Sequence, residues 1–343
     1  MSRGDERRPL ILAAVQDSPV AFDLDASIAK LHTLTRKAAQ EARRAHGNDG
    51  GDILVVFPEA FLCCYPRGYD FGAKVGSRAA EGRTWFRRYH QSSVPVAHVD
   101  GPHMTAIRAA ASENNVTLVV GVIERCDEPA SGPPMASYGS ENAGGHGTLY
   151  CTALTISPQG ELLVAHRKLM PTGTERLVWG QGDGAGLRVA DTPVGRVGAV
   201  ICWENLMPQL RLSMYAKGVE LYAAPTADCR DSWAPVMQTI AQEGRCFVVS
   251  CCQYTEKRDL PADYPAFQDK PEDEIITRGG SLIVDPLGNI LAGPLFDRRG
   301  ILTAQVDRNT ILEARMDFDS AGHYARPDVF QLVVDEKSKQ VTM

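Results

Sequence analysis

The stretch Val197-Gly198-Ala199-Val200-Ile201-Cys202-Trp203-Glu204-Asn205 constrains the chain more than any other, because an uncharged run ends on a cysteine and passes at once into polar residues. Pro193 and Gly195 precede it, and Pro208 follows. A β-branched run bounded in this way reads as a strand, Val197–Cys202, with both faces covered. Open α/β sheets bind ligands in the crevice at the carboxyl ends of their strands, which is where this thiol would sit. Taken alone, Cys202 is equally a small buried apolar residue, as free cysteines often are.

Two further segments have the same character. Ile53–Phe57 is an apolar strand that stops at Pro58 and the carboxylate of Glu59. The pair Leu149–Ile156 and Glu161–Ala165, joined by Ser157-Pro158-Gln159-Gly160, reads as a hairpin, and beyond it come Lys168 and Glu175. Each of these charges alone is also what a solvated surface residue or a strand-end cap looks like. Three strand ends offering Glu, Lys and Cys are nevertheless able to converge on one pocket.

Strand-like segments at Leu10–Gln16, Leu118–Val122, Leu221–Ala223, Phe247–Gln253, Gly280–Asp285 and Asn289–Ala292 alternate with helical stretches at Asp25–Ala45, Gly101–Asn114, Gln209–Lys217 and Trp233–Arg245. The turn Asp285-Pro286-Leu287-Gly288-Asn289 is a separate hairpin signal. This is a mixed α/β pattern without a long linker, so one large domain over residues 9–315 is expected. A polar tail lies before it at 1–8 and a carboxyl-terminal segment after it at 316–343, with Glu336–Met343 expected to be disordered. The Gly- and Pro-rich stretch Asp127–Gly147 interrupts two strands and reads as a surface excursion.

Several function classes are disfavoured. With 36 basic against 42 acidic residues, a net charge of −6 and no basic block, nucleic acid is not the expected partner. Leu10–Val15 is too short for a secretion signal, and no apolar run has the length of a membrane span. The nine cysteines include no Cys-x-x-Cys spacing, which argues against a zinc site or a disulfide framework and for a reducing, cytoplasmic location. His98 and His103 stand apart from other ligand types. Gly180-Gln181-Gly182-Asp183-Gly184 follows no strand and opens no helix, so no phosphate loop or dinucleotide site is expected.

The strings FPEAFLCCYPRGYDFG (57–72), HRKLMPTGTERLVWGQGDG (166–184), VGAVICWENLMP (197–208) and GHYARPDVF (322–330) resemble, in order, the nitrilase superfamily, and within it the true nitrilase branch. The resemblance runs from about Pro9 to about Phe330. It implies a four-layer α-β-β-α sandwich, with Cys202 as nucleophile, Glu59 as general base, Lys168 as cationic stabiliser and Glu175 as a second glutamate. It implies no cofactor and no metal, a small nitrile as substrate, and a homo-oligomer, spiral or filamentous, assembled in part through the carboxyl-terminal block.

A nitrile carbon is a modest electrophile, so an intrinsically nucleophilic thiol suits it, and the charge developing on nitrogen calls for a cation. The expected reaction consumes two waters and gives a carboxylic acid and ammonia through a thioimidate and a thioester. Tyr65 and Trp203 are candidates for the substrate pocket, although aromatic residues near a motif are more often core. Other activities of the same superfamily remain alternatives, namely cyanide hydration or hydrolysis and amide hydrolysis, as does a non-catalytic assembly subunit. The residues Trp203-Glu204-Asn205 after the cysteine speak against the amidase and carbamoylase branches.

Overall fold

A computed structural model describes residues 10–46, 51–126 and 147–338. The tail at 1–8, the excursion up to residue 146 and residues 339–343 lie outside these. In chain order the strands are β1 (Leu10–Gln16), β2 (Asp52–Val56), β3 (Ala73–Lys74), β4 (Ser77–Arg78), β5 (Thr117–Arg125), β6 (Leu149–Ile156), β7 (Leu162–Arg167), β8 (Val189–Thr192), β9 (Gly195–Ala199), β10 (Leu221–Thr226), β11 (Phe247–Cys252), β12 (Tyr254–Glu256), β13 (Ile275–Val284), β14 (Ile290–Phe296) and β15 (Gly300–Val306). The helices are α1 (Leu24–His46), α2 (Ala80–Gln91), α3 (Pro102–Ser112), α4 (Pro208–Ala216), α5 (Trp233–Gly244) and α6 (Asn309–Ala314).

Two large sheets form. One has the order β15-β1-β2-β5-β6-β7, the other β12-β13-β11-β10-β9-β8 with β14 paired to β13. Each is parallel at its centre, where β1, β2 and β5 and then β9, β10 and β11 run side by side, and antiparallel at its margins. Helical crossovers α1, α3, α4 and α5 connect the parallel strands, as parallel pairing demands.

The two-residue period of the strands separates the layers. Leu10, Leu12 and Ala14 of β1 and Leu54 and Val56 of β2 face the second sheet, where they share one core with Val197, Ala199, Leu221, Ala223, Phe247 and Val249. Their neighbours Ile11, Ala13, Val15, Ile53 and Val55 face the other way, onto Leu31 and Ala38 of α1 and Met104 and Ile107 of α3. On the far side of the second sheet Tyr222, Ala224 and Val248 meet Leu210 and Met214 of α4 and Met237 and Ile240 of α5. The result is a four-layer α-β-β-α sandwich, the expected class.

Some local expectations change. The strand read as Val197–Cys202 ends at Ala199, and Cys202 opens a single 3-10 turn, Cys202–Leu206, with φ at +51°. Helix α2 escapes the periodicity argument because only Gly82, Trp85 and Tyr89 among its side chains are buried, too sparse a stripe to stand out. The edge strand β15 is half-buried along most of its length and shows no clear alternation. The hairpin turn after β13 is as expected, with Gly288 at φ +88° and its N–H donating to the Asp285 carbonyl at 2.9 Å.

One close approach fixes the segment after β2. Phe57 N–H donates to the Val119 carbonyl at 2.8 Å and Leu62 N–H to the Gly121 carbonyl at 3.1 Å, so residues 57–62 lie directly across β5. A Cβ added at Gly121 would stand 2.3 Å from the Pro58 carbonyl oxygen and 2.7 Å from Glu59 Cα. Both obstacles are backbone, so Gly121→Ala is expected to destabilise the fold by about 1–3 kcal/mol. It should also displace Glu59, and a denaturant midpoint together with an activity assay checks both effects.

Candidate active site

The four motif residues reach one place from four chain segments. Glu59 follows β2 in the segment strapped across β5. Lys168 follows β7, its N–H donating to the Cys151 carbonyl at 2.8 Å and its own carbonyl accepting from Gly182 N–H at 2.8 Å. Glu175 sits in the 3-10 turn Gly173–Leu177, where its carboxylate accepts the Thr172 N–H at 2.6 Å and so caps the turn that carries it. Cys202 heads the turn after β9, beside the carboxyl end of β10, whose Thr226 hydroxyl donates to the Cys202 sulfur at 3.2 Å.

At the centre is the Lys168 ammonium, 2.7 Å from Glu59 Oε1 and 2.7 Å from Glu175 Oε2. The lysine and Glu59 side chains are fully buried, and that of Glu175 nearly so. Glu175 Oε1 accepts from the Tyr65 hydroxyl at 2.7 Å. Glu59 is held twice more, by the Cys151 thiol to Oε1 at 3.5 Å and by Gln253 Nε2 to its main-chain carbonyl at 2.8 Å. Its other oxygen, Oε2, accepts no hydrogen bond from the nitrogen and oxygen donors among the described residues, while the Cys202 thiol lies close enough to favour the ionised carboxyl.

Burial dominates the electrostatics. It raises the Glu59 carboxyl above its ordinary value, with the Glu175 charge adding to the rise and the Lys168 ammonium opposing it. Burial also raises the Cys202 thiol, to about 12, reinforced by the Glu59 charge and moderated by Lys168 and the Thr226 hydroxyl. Desolvation works against the Lys168 charge, but Glu59, Cys202, Cys151 and Glu175 outweigh it and hold the ammonium well above its usual range. At neutral pH the resting arrangement is therefore a Cys202 thiol beside a Lys168 ammonium that bonds to Glu59 and Glu175. Such a set can pass a proton from sulfur at the moment a bond forms there, and can meet new negative charge with a fixed cation.

A cleft of about 380 Å³ opens beside this cluster, lined by Tyr65, Arg67, Asp70, Glu175, Val178 and Trp179 among others. Tyr65 thus stands between the cleft and the ion cluster, and the edge of its ring meets Trp179 at 5.7 Å. Trp203, the other pocket candidate, does not line this cleft. Its indole is 40% exposed, donates to Asp228 Oδ2 at 2.9 Å and lies under the Arg230 guanidinium. Thr226, Cys151 and Gln253 were not legible as site residues, because each belongs to an apolar strand or its end and only the sheet order brings it here. Glu204 and His166, which the motifs contain without an evident role, form a buried pair at 3.0 Å behind the site. All nine cysteines are free, and among the described residues no group of three or more His, Cys, Asp and Glu is arranged to hold a metal ion.

Comparison with known proteins identifies the family. A sequence profile of the carbon-nitrogen hydrolase family matches residues 11–316. Nitrilase 2 of Arabidopsis thaliana is 46% identical over 332 residues, covering 95% of this chain and 88% of its own. An aliphatic nitrilase of Sinorhizobium fredii (strain HH103) is 47% identical over 332 residues, covering 96% and 97%. A carbon-nitrogen hydrolase from Helicobacter pylori G27 superimposes with a TM-score of 0.65 at 18% identity, over 94% of this chain and 97% of that one, a likeness of fold. With the profile spanning most of its length and these relatives aligned nearly end to end, the chain belongs to the carbon-nitrogen hydrolase family, in its nitrilase branch.

Proposed function

We propose that the protein hydrolyses an organic nitrile, consuming two waters and releasing the carboxylic acid and ammonia. The observation that carries this reading is the buried Lys168 ammonium bound at 2.7 Å to both Glu59 and Glu175, next to a buried thiol, in a chain whose relatives at 46% and 47% identity are named nitrilases.

The chemistry follows from the protonation states. Cys202 begins as a thiol, so its proton must leave as sulfur attacks the nitrile carbon, and Glu59 takes it. The nitrogen gains negative charge as the S–C bond forms, and Lys168 donates to it, completing a neutral thioimidate. The proton taken up by Glu59 passes to Lys168, restoring the carboxylate and the ammonium, and Glu59 then removes a proton from a water that adds to the thioimidate carbon and hands it to the nitrogen. The hydroxyl proton of the tetrahedral adduct moves through Glu59 to the amino nitrogen, the C–N bond breaks to release ammonia, and a thioester remains. A second water, activated in the same way, displaces the thiol and releases the acid. Glu175 holds the lysine from the far side and leaves it between the two carboxylates.

The nine free thiols suit a reducing compartment, which supports a cytoplasmic location. Among the described residues no helix is long and apolar enough to cross a membrane. The segment from residue 316 carries Met316, Tyr324, Phe330 and Val333 at 62–89% exposure without joining a helix or strand, which supports an assembly role for it in a homo-oligomer.

Three outcomes are expected. Cys202→Ala should fold and give no turnover, and Lys168→Ala should lower kcat and kcat/KM together by at least about a hundredfold, since a neutral nitrile gives a cation little to hold before attack. Ammonia and acid measured on nitriles, amides and cyanide check both, and an amide or cyanide preference in the intact protein would overturn the nitrile assignment.

The second outcome concerns pH. Because the Glu59 carboxyl is raised, acidification protonates it, and kcat/KM should fall on an acid limb lying above the ordinary carboxylate range. No alkaline limb is expected below about pH 9, because Cys202 needs no prior ionisation and Lys168 stays charged. Alkylation of Cys202 by iodoacetamide should still be rising about tenfold per pH unit at pH 9, where a free cysteine levels off.

The third concerns assembly. Light scattering should find a species larger than a dimer, and truncation at residue 316 should shift it to smaller forms. A fully active monomer at nanomolar concentration would exclude the assembly.

A further inference from the structure

Glu204 and His166 lie outside the chemistry just described, yet both side chains are essentially inaccessible, at 0% and 1% exposure. The Glu204 carboxylate receives donors from both halves of the site. Its Oε2 accepts the Ile201 N–H at 3.0 Å, the amide directly before Cys202. Its Oε1 accepts the Leu169 N–H at 2.6 Å, the amide directly after Lys168. His166 Nε2 donates to the same group, 3.0 Å from Oε2 and 3.3 Å from Oε1. The opposite ring nitrogen, Nδ1, has no hydrogen-bond partner among the described residues, and the backbone of Gly186 packs against that edge closely enough that a Cβ there would stand 3.2 Å from Nδ1. The imidazole is therefore oriented by packing on one edge and by the carboxylate on the other.

This is an unusual use of a buried carboxylate. Cys202 belongs to the second sheet's turn and Lys168 to the end of a strand in the first sheet, and Glu204 bonds to the neighbouring amide of each. Cys202 also sits at φ +51°, a conformation a non-glycine residue keeps only when its surroundings impose it. Resting on the nitrilase reading above, we infer that Glu204, oriented by His166, is a positioning residue that sets the distance between the Cys202 sulfur and the Lys168 ammonium across the gap between the two sheets. Neither side chain exchanges a proton with substrate. His166 aims the carboxylate, and the carboxylate holds the N–H groups of Ile201 and Leu169, the residues adjoining Cys202 and Lys168.

The test uses the full-length protein and three variants, Glu204→Gln, His166→Gln and His166→Leu. Glutamine at 166 can restore a nitrogen donor where Nε2 stands, whereas leucine fills the space without one. Melting temperature, kcat, KM and the alkylation rate of Cys202, mapped by mass spectrometry, are measured for each. His166→Leu and Glu204→Gln are expected to lower kcat about tenfold to a hundredfold with KM within about threefold, because an ångström of misplacement weighs on the reacting step more than on binding. Cys202 alkylation should slow in the same variants, since a displaced Lys168 no longer favours the thiolate. His166→Gln should recover most of both rates.

Equal loss in His166→Gln and His166→Leu, or wild-type kcat per folded molecule in Glu204→Gln, would overturn the inference in favour of a purely structural pair. So would a fall in melting temperature with no change in alkylation. If Glu204→Gln does not fold, the comparison of the two His166 variants decides alone. Failure of the nitrilase reading is distinguishable, because it would appear as absent nitrile turnover in the unmutated protein while the alkylation comparison still stands.

Discussion

The site depends on one ammonium group buried between two carboxylates. Removing an ion from water costs several kcal/mol even after relaxation, and a lone lysine in this core would give up its charge. Glu59 and Glu175 at 2.7 Å keep Lys168 protonated, and the lysine in turn opposes the rise that burial and the Glu175 charge impose on the Glu59 carboxyl. The ammonium is held by both acids, while the two acids oppose one another across it. The arrangement needs walls on every side, which is what two sheets packed face to face provide.

The sheets also supply rigidity. Glu59, Lys168 and Cys202 stand beyond strand ends, where the ladder stops and the backbone is free to turn, and Glu175 lies in the 3-10 turn that follows Lys168, yet each is tied back to a neighbour. Glu59 is strapped across β5, Lys168 hydrogen bonds to β6 through Cys151, Glu175 caps its own turn, and Cys202 is bonded to Thr226 of the adjacent parallel strand. Glu59 and Cys202 follow strands of the parallel centres, and Lys168 follows edge strand β7, which points the same way as β5 because antiparallel β6 lies between them, so the convergence is a property of topology more than of any local sequence.

That distinction explains what could be read from the chain. The central strands are runs of Val, Ile, Leu and Ala bounded by Pro, Gly or charge, and a strand such as Leu10–Gln16 is legible because nothing but a buried strand suits it. Glu59, Lys168, Glu175 and Cys202 stood out because charge or thiol follows such runs abruptly. Helix α2 buries Gly82, Trp85 and Tyr89 at helical spacing, but glycine adds no apolar side chain to that stripe, and strand β15 shows no clear alternation, so neither stands out in a local window. The end of β9 was misjudged because Val200 and Ile201 are as apolar as a strand, and what turns the chain there is a hydrogen bond from Ile201 to a side chain later in the sequence. Trp203 is a pocket candidate by its adjacency to Cys202, and what the sequence does not show is that Asp228 and Arg230, from another loop, bind its indole outside the cleft that Tyr65 lines.

With the cleft taken, under the proposed function, as the place of the substrate, the position of Tyr65 has a consequence for how substrate preference can change in this protein. Its ring lines the cleft while its hydroxyl donates to Glu175, which holds Lys168. Shape and charge are thus written into one side chain, and a replacement that enlarges the cleft also removes a donor from the carboxylate behind it. Val178, also on the wall, has no polar atom in its side chain and forms no such link. Drift in substrate size should accordingly be recorded at positions like Val178, and Tyr65 should stay as it is for electrostatic reasons even where its bulk is unwelcome.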